Sequence, residues 1–173
     1  MGNDSKGRQN RTLMLALSGM MAALVFVATY FFRLPVSITQ GYIHLGDGFI
    51  LLGASLLGWM AVPAAAIGSM LADLLAGYTL YCLPTLLIKG AVAAVGVLAV
   101  RSEKPYWVTL LLLIVAELVM VAGYFMAEWL VLGYGLAAAS AAVIPNLVQG
   151  LSGVVVGAVL IPLMKRVKLP GLQ

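Results

Sequence analysis

The chain has 173 residues, of which 63% are apolar and only 9% are charged, and its formal net charge is +4. Soluble domains are usually about half apolar and about a quarter charged, so this composition excludes a soluble protein and indicates one integral membrane domain over residues 1–173. The single cysteine excludes an internal disulfide and a cysteine-based metal site, and the positive charge is a guide to membrane topology, not a sign of nucleic-acid binding.

Long uninterrupted apolar runs predict helices, because transmembrane strands would alternate apolar and polar residues. The first predicted span covers residues 12–32 and is retained, since its apolar run is longer than that of a signal peptide. A polar loop follows at 33–47 and contains the only histidine. The other predicted helices cover residues 48–59, 63–76, 85–100, 106–132 and 141–164.

Three basic clusters predict the topology. By the positive-inside rule they all lie in the cytoplasm, so an even number of crossings must separate each from the next. The apolar run 48–76 must therefore be two short helices that fold back between Gly58 and Pro63. This predicts an all-α protein with six transmembrane helices and both termini cytoplasmic. The clusters are Lys6, Arg8 and Arg11; Arg101 and Lys104; and Lys165, Arg166 and Lys168.

Ionisable side chains inside spans are costly and usually functional. With this topology the polar groups all fall in the outer half of the membrane and predict a cup that opens outward. Lys89 and Glu117 would set its charge, Tyr rings would stack on a ring-shaped solute, and the histidine and amides would hydrogen-bond to it. The predicted substrate-binding residues are Tyr42, His44, Asp73, Tyr81, Lys89, Glu117, Tyr124, Asn146 and Gln149.

Structural roles remain open for several of these groups. Asp47 would cap a helix if it has no role in the cup. Asp73 would pair with Lys89, and Glu128 would be solvated at the headgroup level. Small residues predict close helix contacts at Ser18 with Ala22 or Gly19 with Ala23, and along Gly150, Gly153 and Gly157.

Five segments together resemble the substrate-binding S components of energy-coupling factor (ECF) transporters, in the branch with riboflavin-type and hydroxymethylpyrimidine/pyridoxine-type members. The resemblance covers residues 13–164. It implies a six-helix bundle in a prokaryotic cell membrane, with an outward vitamin site closed by the first outer loop. The segments are IHLGD at 43–47, ADLLAGY at 72–78, PTLLIKG at 84–90, AGYF at 122–125 and PNLVQG at 145–150.

The resemblance also implies partners, namely a transmembrane coupling subunit and two cytoplasmic ATPases. The chain has no P-loop sequence, so ATP hydrolysis would come from those subunits, and neither enzymatic activity nor a cofactor is expected. In the family an Ala-x-x-x-Ala motif on the first helix docks onto the coupling subunit. Here Ser18 with Ala22, or Gly19 with Ala23, takes its place, so the docking face keeps only the small-residue character of that motif.

The expected function is high-affinity capture of a small polar heterocycle, with a vitamin B6 form or hydroxymethylpyrimidine favoured. A riboflavin-specific S component is one alternative. Another is an ion-coupled secondary carrier in which Glu117 and Glu128 take up protons. A membrane enzyme is disfavoured, since the chain has one histidine and no nucleophile or metal cluster of known spacing.

Overall fold

The computed structural model describes residues 2–36, 41–100 and 105–166, and within them the chain is almost entirely helical. Arg101, Lys104 and Lys168, on which the topology prediction partly rests, lie outside the described residues. The helices are α1 (Gly2–Phe31), α2 (Gly46–Leu57), α3 (Ala61–Ala76), α4 (Cys82–Val100), α5 (Tyr106–Met126) and α6 (Leu136–Arg166).

The predicted all-α membrane protein is confirmed. Five stretches of the described residues are long and apolar enough to cross a membrane. They are Asn10–Phe31, Gly46–Ala76, Thr79–Val100, Tyr106–Val131 and Leu136–Met164.

The second stretch is broken in its middle. Helix α2 ends at Leu57, and Gly58 follows with a φ of 55°, a left-handed conformation that glycine adopts at little cost. A 3₁₀ turn at Gly58–Met60 then leads into α3, which places Pro63 in the first turn, where its missing N–H is tolerated. At about 1.5 Å per residue, α2 alone is about 18 Å long, shorter than the hydrocarbon core.

Helix α2 lies at the centre of the bundle and packs against α1, α3, α4 and α6. Apart from Asp47, it is apolar or small around its whole circumference, as expected of a helix with neighbours on every side. Helix α3 packs against α1 and α4, and α5 lies between α4 and α6. This arrangement brings the C-terminal ends of α3 and α5 and the N-terminal ends of α4 and α6 around one space.

The loop after α1 contains two short strands that the sequence did not reveal. Strand β1 (Leu34–Val36) pairs antiparallel with β2 (Gly41–Ile43), with Pro35 opposite Tyr42. Three residues are too few to show an alternating pattern, so only the pairing identifies them as strands. Strand β2 contacts α6, which places the loop over the end of the bundle where α6 begins.

Several helix ends differ from the predicted ones. Helix α6 begins at Leu136, not at residue 141, because the alanine-rich segment predicted as a link has high helix propensity. Helix α1 begins at Gly2, ten residues before the predicted span. Helix α5 is followed by a π-helical turn at Ala127–Val131, and Gly133 and Gly135 then adopt positive φ in the link to α6.

Candidate functional site

A narrow cavity lies beneath the two-stranded loop, among the helix ends on that side of the bundle. Its volume is about 40 Å³, enough for a few water molecules but not for a ring-shaped solute without movement of its walls. Side chains from α1, the loop, α3, α4, α5 and α6 line it. They are Thr29, Tyr42, His44, Asp73, Tyr78, Tyr81, Thr85, Tyr124, Glu128, Ala142, Pro145, Asn146 and Gln149.

Aromatic rings form a continuous wall of this cavity. The ring centroid of Tyr42 lies 5.5 Å from that of His44 and 4.9 Å from that of Tyr78. Tyr81 continues the series, with its centroid 6.3 Å from that of Tyr78 and 6.4 Å from that of Tyr124. These spacings are typical of interacting rings, so a flat ring entering the cavity would find aromatic faces and edges on one side.

Two carboxyl groups line the cavity, and each accepts a hydrogen bond from a tyrosine. The Tyr42 hydroxyl donates to Asp73 Oδ1, and the Tyr81 hydroxyl donates to Glu128 Oε1 over 3.0 Å. Burial and the neighbouring carboxylate raise the pKa of the Tyr42 hydroxyl. Glu128 is only 4% exposed, so the alternative that it is merely solvated is wrong.

Two lining atoms have no hydrogen-bond partner among the described residues. They are Asp73 Oδ2 and Thr29 Oγ1, and both are buried. The nearby Thr85 hydroxyl lies 2.9 Å from the Tyr124 hydroxyl and is thereby engaged. Buried polar atoms seldom lack a hydrogen-bond partner. A ligand in the cavity could supply the missing partner for each of these two atoms.

His44 is held as a neutral imidazole. Its Nδ1 accepts a hydrogen bond from the backbone N–H of Gly46 over 3.0 Å, so the ring proton of the neutral form lies on Nε2. Burial, with the positive charge of Lys89 as the next cause, lowers the pKa of His44 to about 3. The imidazole therefore presents one N–H donor and no charge at neutral pH.

Lys89 and Asp47 form an ion pair below the cavity. Lys89 Nζ lies 2.6 Å from Asp47 Oδ1, and both side chains are fully buried. Gln149 Nε2 donates to the other oxygen of Asp47 over 2.7 Å, while Gln149 Oε1 accepts from the backbone N–H of His44 over 3.1 Å. Gln149 thus links the loop above the cavity to the ion pair beneath it.

The ion pair corrects three expectations. Lys89 does not line the cavity, although its Nζ lies 5.3 Å from the centroid of the Tyr124 ring, which does. Asp47 lies in the first turn of α2, but its side chain bonds to Lys89 and Gln149 and does not cap that helix. Lys89 pairs with Asp47 and not with Asp73, because α2 lies between α4 and α6 at this depth.

Glu117 also lies outside the cavity. It is 4% exposed, and neither of its carboxyl oxygens has a hydrogen-bond partner among the described residues. The glycines of α6 make room for it, since a side chain on Gly153 would lie 2.8 Å from Glu117 Oε1 and 2.9 Å from Asp47 Cβ. Tyr124 of α5 and Glu128 of the turn after it therefore lie at the cavity, and Glu117 of α5 lies below it.

Seven of the nine residues predicted to bind substrate line the cavity, and Lys89 and Glu117 do not. Sequence reasoning did not place four polar lining residues among the substrate-binding residues, namely Thr29, Tyr78, Thr85 and Glu128. Tyr78 lies next to Gly77, whose φ of 85° turns the chain back, and its position in the short link that follows Asp73 and the end of α3 was the available signal. Nothing in the sequence distinguishes Thr29 and Thr85 from other threonines in transmembrane helices, so neither could be recognised as a lining residue.

The candidate docking residues on α1 divide between two faces. The Ser18 hydroxyl donates to the carbonyl of Met14 over 2.8 Å and is buried, and a side chain on Gly68 of α3 would collide with the Ala22 carbonyl. Gly19 has no neighbour within 4 Å of where its side chain would begin, and Ala23 lines an apolar surface groove. Only Gly19 and Ala23 are therefore open to another helix.

Comparisons with known proteins point in one direction. Residues 9–166 match the family model for the S component of ECF-type riboflavin transporters. The thiamine precursor transporter HmpT of Lactococcus lactis subsp. cremoris is 36% identical over 156 residues, which cover 88% of this chain and 87% of that protein. An uncharacterized protein in the gap 3'region of Pyrococcus woesei is 34% identical over 143 residues, covering 82% and 95% respectively.

A solved structure shows the same fold. It is that of the S component of a bacterial ECF transporter, with a TM-score of 0.75 over 90% of this chain and 96% of the other. The sequences are 18% identical, so this similarity concerns the fold alone.

Proposed function

This chain belongs to the family of ECF-type riboflavin transporter S components, and we propose that it is the subunit that captures a small heterocyclic vitamin or vitamin precursor for ATP-driven import. As a member of that family it is a multi-pass membrane protein and a substrate-binding subunit. The observation that carries the proposal is the cavity under the first outer loop, where an aromatic wall and converging polar groups meet.

Hydroxymethylpyrimidine is the favoured substrate, and a vitamin B6 form is the next choice. The relative from Lactococcus lactis is described as a thiamine precursor transporter, and a single small ring suits a narrow cavity better than riboflavin does. Tyr42, Tyr78 and Tyr81 would stack against or border the ring. His44 Nε2, the Asn146 amide and the free oxygen of Asp73 would hydrogen-bond to it.

The two-stranded loop would act as the lid of this site. Its strand β2 contacts α6, and the His44 backbone reaches Gln149 on that helix, so opening the lid would require these contacts to part. Substrate would enter from outside, and closure would bury it. The whole subunit would then reorient in the membrane and release substrate inside.

In this proposal six helices cross the membrane and both termini are cytoplasmic. The turn at Gly58–Met60 supports counting α2 and α3 as two crossings. The basic residues before the apolar part of α1 and at the end of α6 support the orientation. Energy would come from two cytoplasmic ATPases through a transmembrane coupling subunit. The open residues Gly19 and Ala23 would let a helix of that subunit approach α1 closely.

Binding and transport can be tested separately. Purified protein in detergent would be screened by thermal shift and isothermal titration calorimetry against B vitamins and their precursors. We expect a pyrimidine or pyridine ligand to raise the melting temperature, and Asn146→Ala to weaken its binding. Failure of every heterocycle to bind would refute the proposed function.

A proton-coupled carrier is the second candidate, because Glu117 is a buried carboxyl without a hydrogen-bond partner among the described residues. The two functions differ in their energy source. Proteoliposomes that contain this chain alone would be given an imposed proton gradient, and others would contain the chain with coupling and ATPase subunits. ATP-dependent uptake in the second set alone supports the ECF function, whereas gradient-driven uptake in the first supports the carrier.

A further inference from the structure

The cavity has carboxyl groups but no basic side chain in its lining. Asp73 and Glu128 both line it, and none of the described lining residues is lysine or arginine. The one histidine is neutral, since its pKa is lowered to about 3. Lys89, beneath the cavity, already pairs with Asp47 at 2.6 Å, and the Arg33 guanidinium lies over the Tyr30 ring, outside the lining. Within the lining itself, the only charged side chains among the described residues are therefore carboxyl groups.

Asp73 is the carboxyl best placed to bind a ligand group. It is only 4% exposed, its Oδ1 is held by the Tyr42 hydroxyl, and its Oδ2 has no partner at hydrogen-bond distance among the described residues. A buried carboxyl oxygen without a partner costs free energy, which a donor on the ligand would recover. Tyr42 fixes the orientation of the carboxyl, so Oδ2 is in place before the ligand arrives.

The tyrosine wall favours the same kind of ligand. The rings of Tyr42, Tyr78, Tyr81 and Tyr124 present π faces or edges near the carboxyls, and π faces attract cationic or electron-poor groups. Glu128 contributes a second acceptor beside Tyr81. An aromatic amine that donates N–H to a carboxylate satisfies both features at once.

We propose that the cavity selects an amino-substituted or protonated heteroaromatic ring, with its N–H donor on Asp73 Oδ2, and rejects the phosphate ester of the same ring. The inference rests on the proposed function, because it concerns the ligand of the same cavity. Rejection follows from charge, since a phosphate would be buried beside two carboxyls with no cation in the lining to pair with it. The chain would thus import the dephosphorylated precursor and leave phosphorylation to a kinase inside the cell.

The test compares three ligands on the purified wild-type protein by isothermal titration calorimetry. They are an amino-substituted hydroxymethylpyrimidine, its methoxy analogue, in which a methoxy group replaces the amino group and no N–H donor remains, and its phosphate monoester. We expect the amine to bind on the order of tenfold more tightly than the methoxy analogue, as for a charge-assisted hydrogen bond, and the ester more weakly still. Equal or tighter binding of either analogue would overturn the inference.

Two isosteric variants locate the effect. Asp73→Asn keeps an acceptor for Tyr42 but loses the charge and should abolish most of the preference for the amine, and Glu128→Gln should reduce it to a smaller extent. Glu117→Gln is the matched control, since its carboxyl lies outside the cavity and the substitution should leave the ratio of the affinities for the amine and the methoxy analogue unaltered. An unaltered ratio in Asp73→Asn would overturn the assignment to Asp73.

The outcomes separate this inference from the proposed function. Selective binding of a carbonyl-rich or phosphorylated heterocycle overturns the inference but leaves vitamin capture intact. Failure of the whole screen of B vitamins and precursors overturns both. The ligand series on wild-type protein decides the matter even if Asp73→Asn does not fold.

Discussion

Lys89 and Asp47 form an ion pair at 2.6 Å in which neither side chain has any exposed surface. Asp47 also accepts a hydrogen bond from Gln149, so both of its oxygens are engaged. A buried pair of this kind contributes little net stability when complete, but removing one partner leaves an uncompensated buried charge.

Lys89→Met is expected to destabilise the protein by about 3 to 5 kcal/mol, because Asp47 would lose its counter-charge. The measurement is the melting temperature of the purified protein in detergent. The double variant Lys89→Met with Asp47→Asn should recover much of the loss, since no charge then remains unpaired. A single variant as stable as wild type would show that the pair is not buried as the structure has it.

Gly68→Ala is expected to destabilise the bundle, because the added carbon would collide with the Ala22 carbonyl where α1 and α3 cross. A backbone atom cannot move aside as a flexible side chain can, so a loss of about 1 to 3 kcal/mol is expected, as for an overpacked core. Gly90→Ala is the matched control, since its nearest neighbour would be at 3.7 Å, an ordinary contact. Equal melting temperatures for the two variants would contradict this helix crossing.

Ala23→Leu on α1 is expected to weaken association with the coupling subunit and to leave ligand affinity of the isolated chain unaffected. A large side chain would keep a partner helix from approaching closely at Gly19 and Ala23. Co-purification with the coupling subunit measures the first effect and calorimetry the second. Ala91→Leu, an exposed position on α4, is the control and should co-purify normally. If both variants co-purify like wild type, the docking face lies elsewhere.

Acid is expected to destabilise the protein through His44, the only histidine of the chain. Its pKa is about 3 in the folded protein against 6.5 as the reference value, so between these limits the unfolded chain binds more protons. This contribution to stability is full above about pH 6.5 and falls with decreasing pH by up to about 1.4 kcal/mol per unit.

The check is the melting temperature at pH 7.5 and pH 5 in wild type and in His44→Gln. Carboxyl groups also titrate in this range, so the informative quantity is the difference between the two proteins. We expect acid to cost wild type more than the variant. An equal acid effect in both would mean that His44 is not buried as a neutral ring.

The break at Gly58 was predictable because the number of membrane crossings between two cytoplasmic segments must be even. That constraint applies to the whole chain and does not depend on the local sequence. The basic clusters required an even number of crossings, and glycine and proline marked where the run could turn. Helix α6 shows the opposite case. The segment before residue 141 was predicted as a link because it is rich in glycine and alanine. Its alanines have high helix propensity, so the helix begins at Leu136.

The polar residues at the cavity were recognisable one by one, but their pairing was not. Depth along each helix placed Asp73 and Lys89 at one level and made them candidate partners. The choice of Asp47 depends on the central position of α2, which is a lateral relationship between helices that no single-sequence pattern encodes. Because the sequence does not show how helices lie beside one another, Glu117 and Lys89 were predicted to bind substrate although they lie below the cavity.

Gln149 reaches back 102 residues to Asp47 and 105 residues to the His44 backbone, and this separation bears on how the protein is made. Because synthesis starts at the N-terminus, α2 is available for insertion before α4 supplies Lys89 and long before α6 supplies Gln149. The Asp47 carboxylate thus has no counter-charge until α4 has been made, and its second oxygen has no hydrogen-bond partner until the chain is nearly complete. Mutations that delay the insertion of α6 would therefore leave that buried oxygen unpaired for longer, even where they touch no substrate.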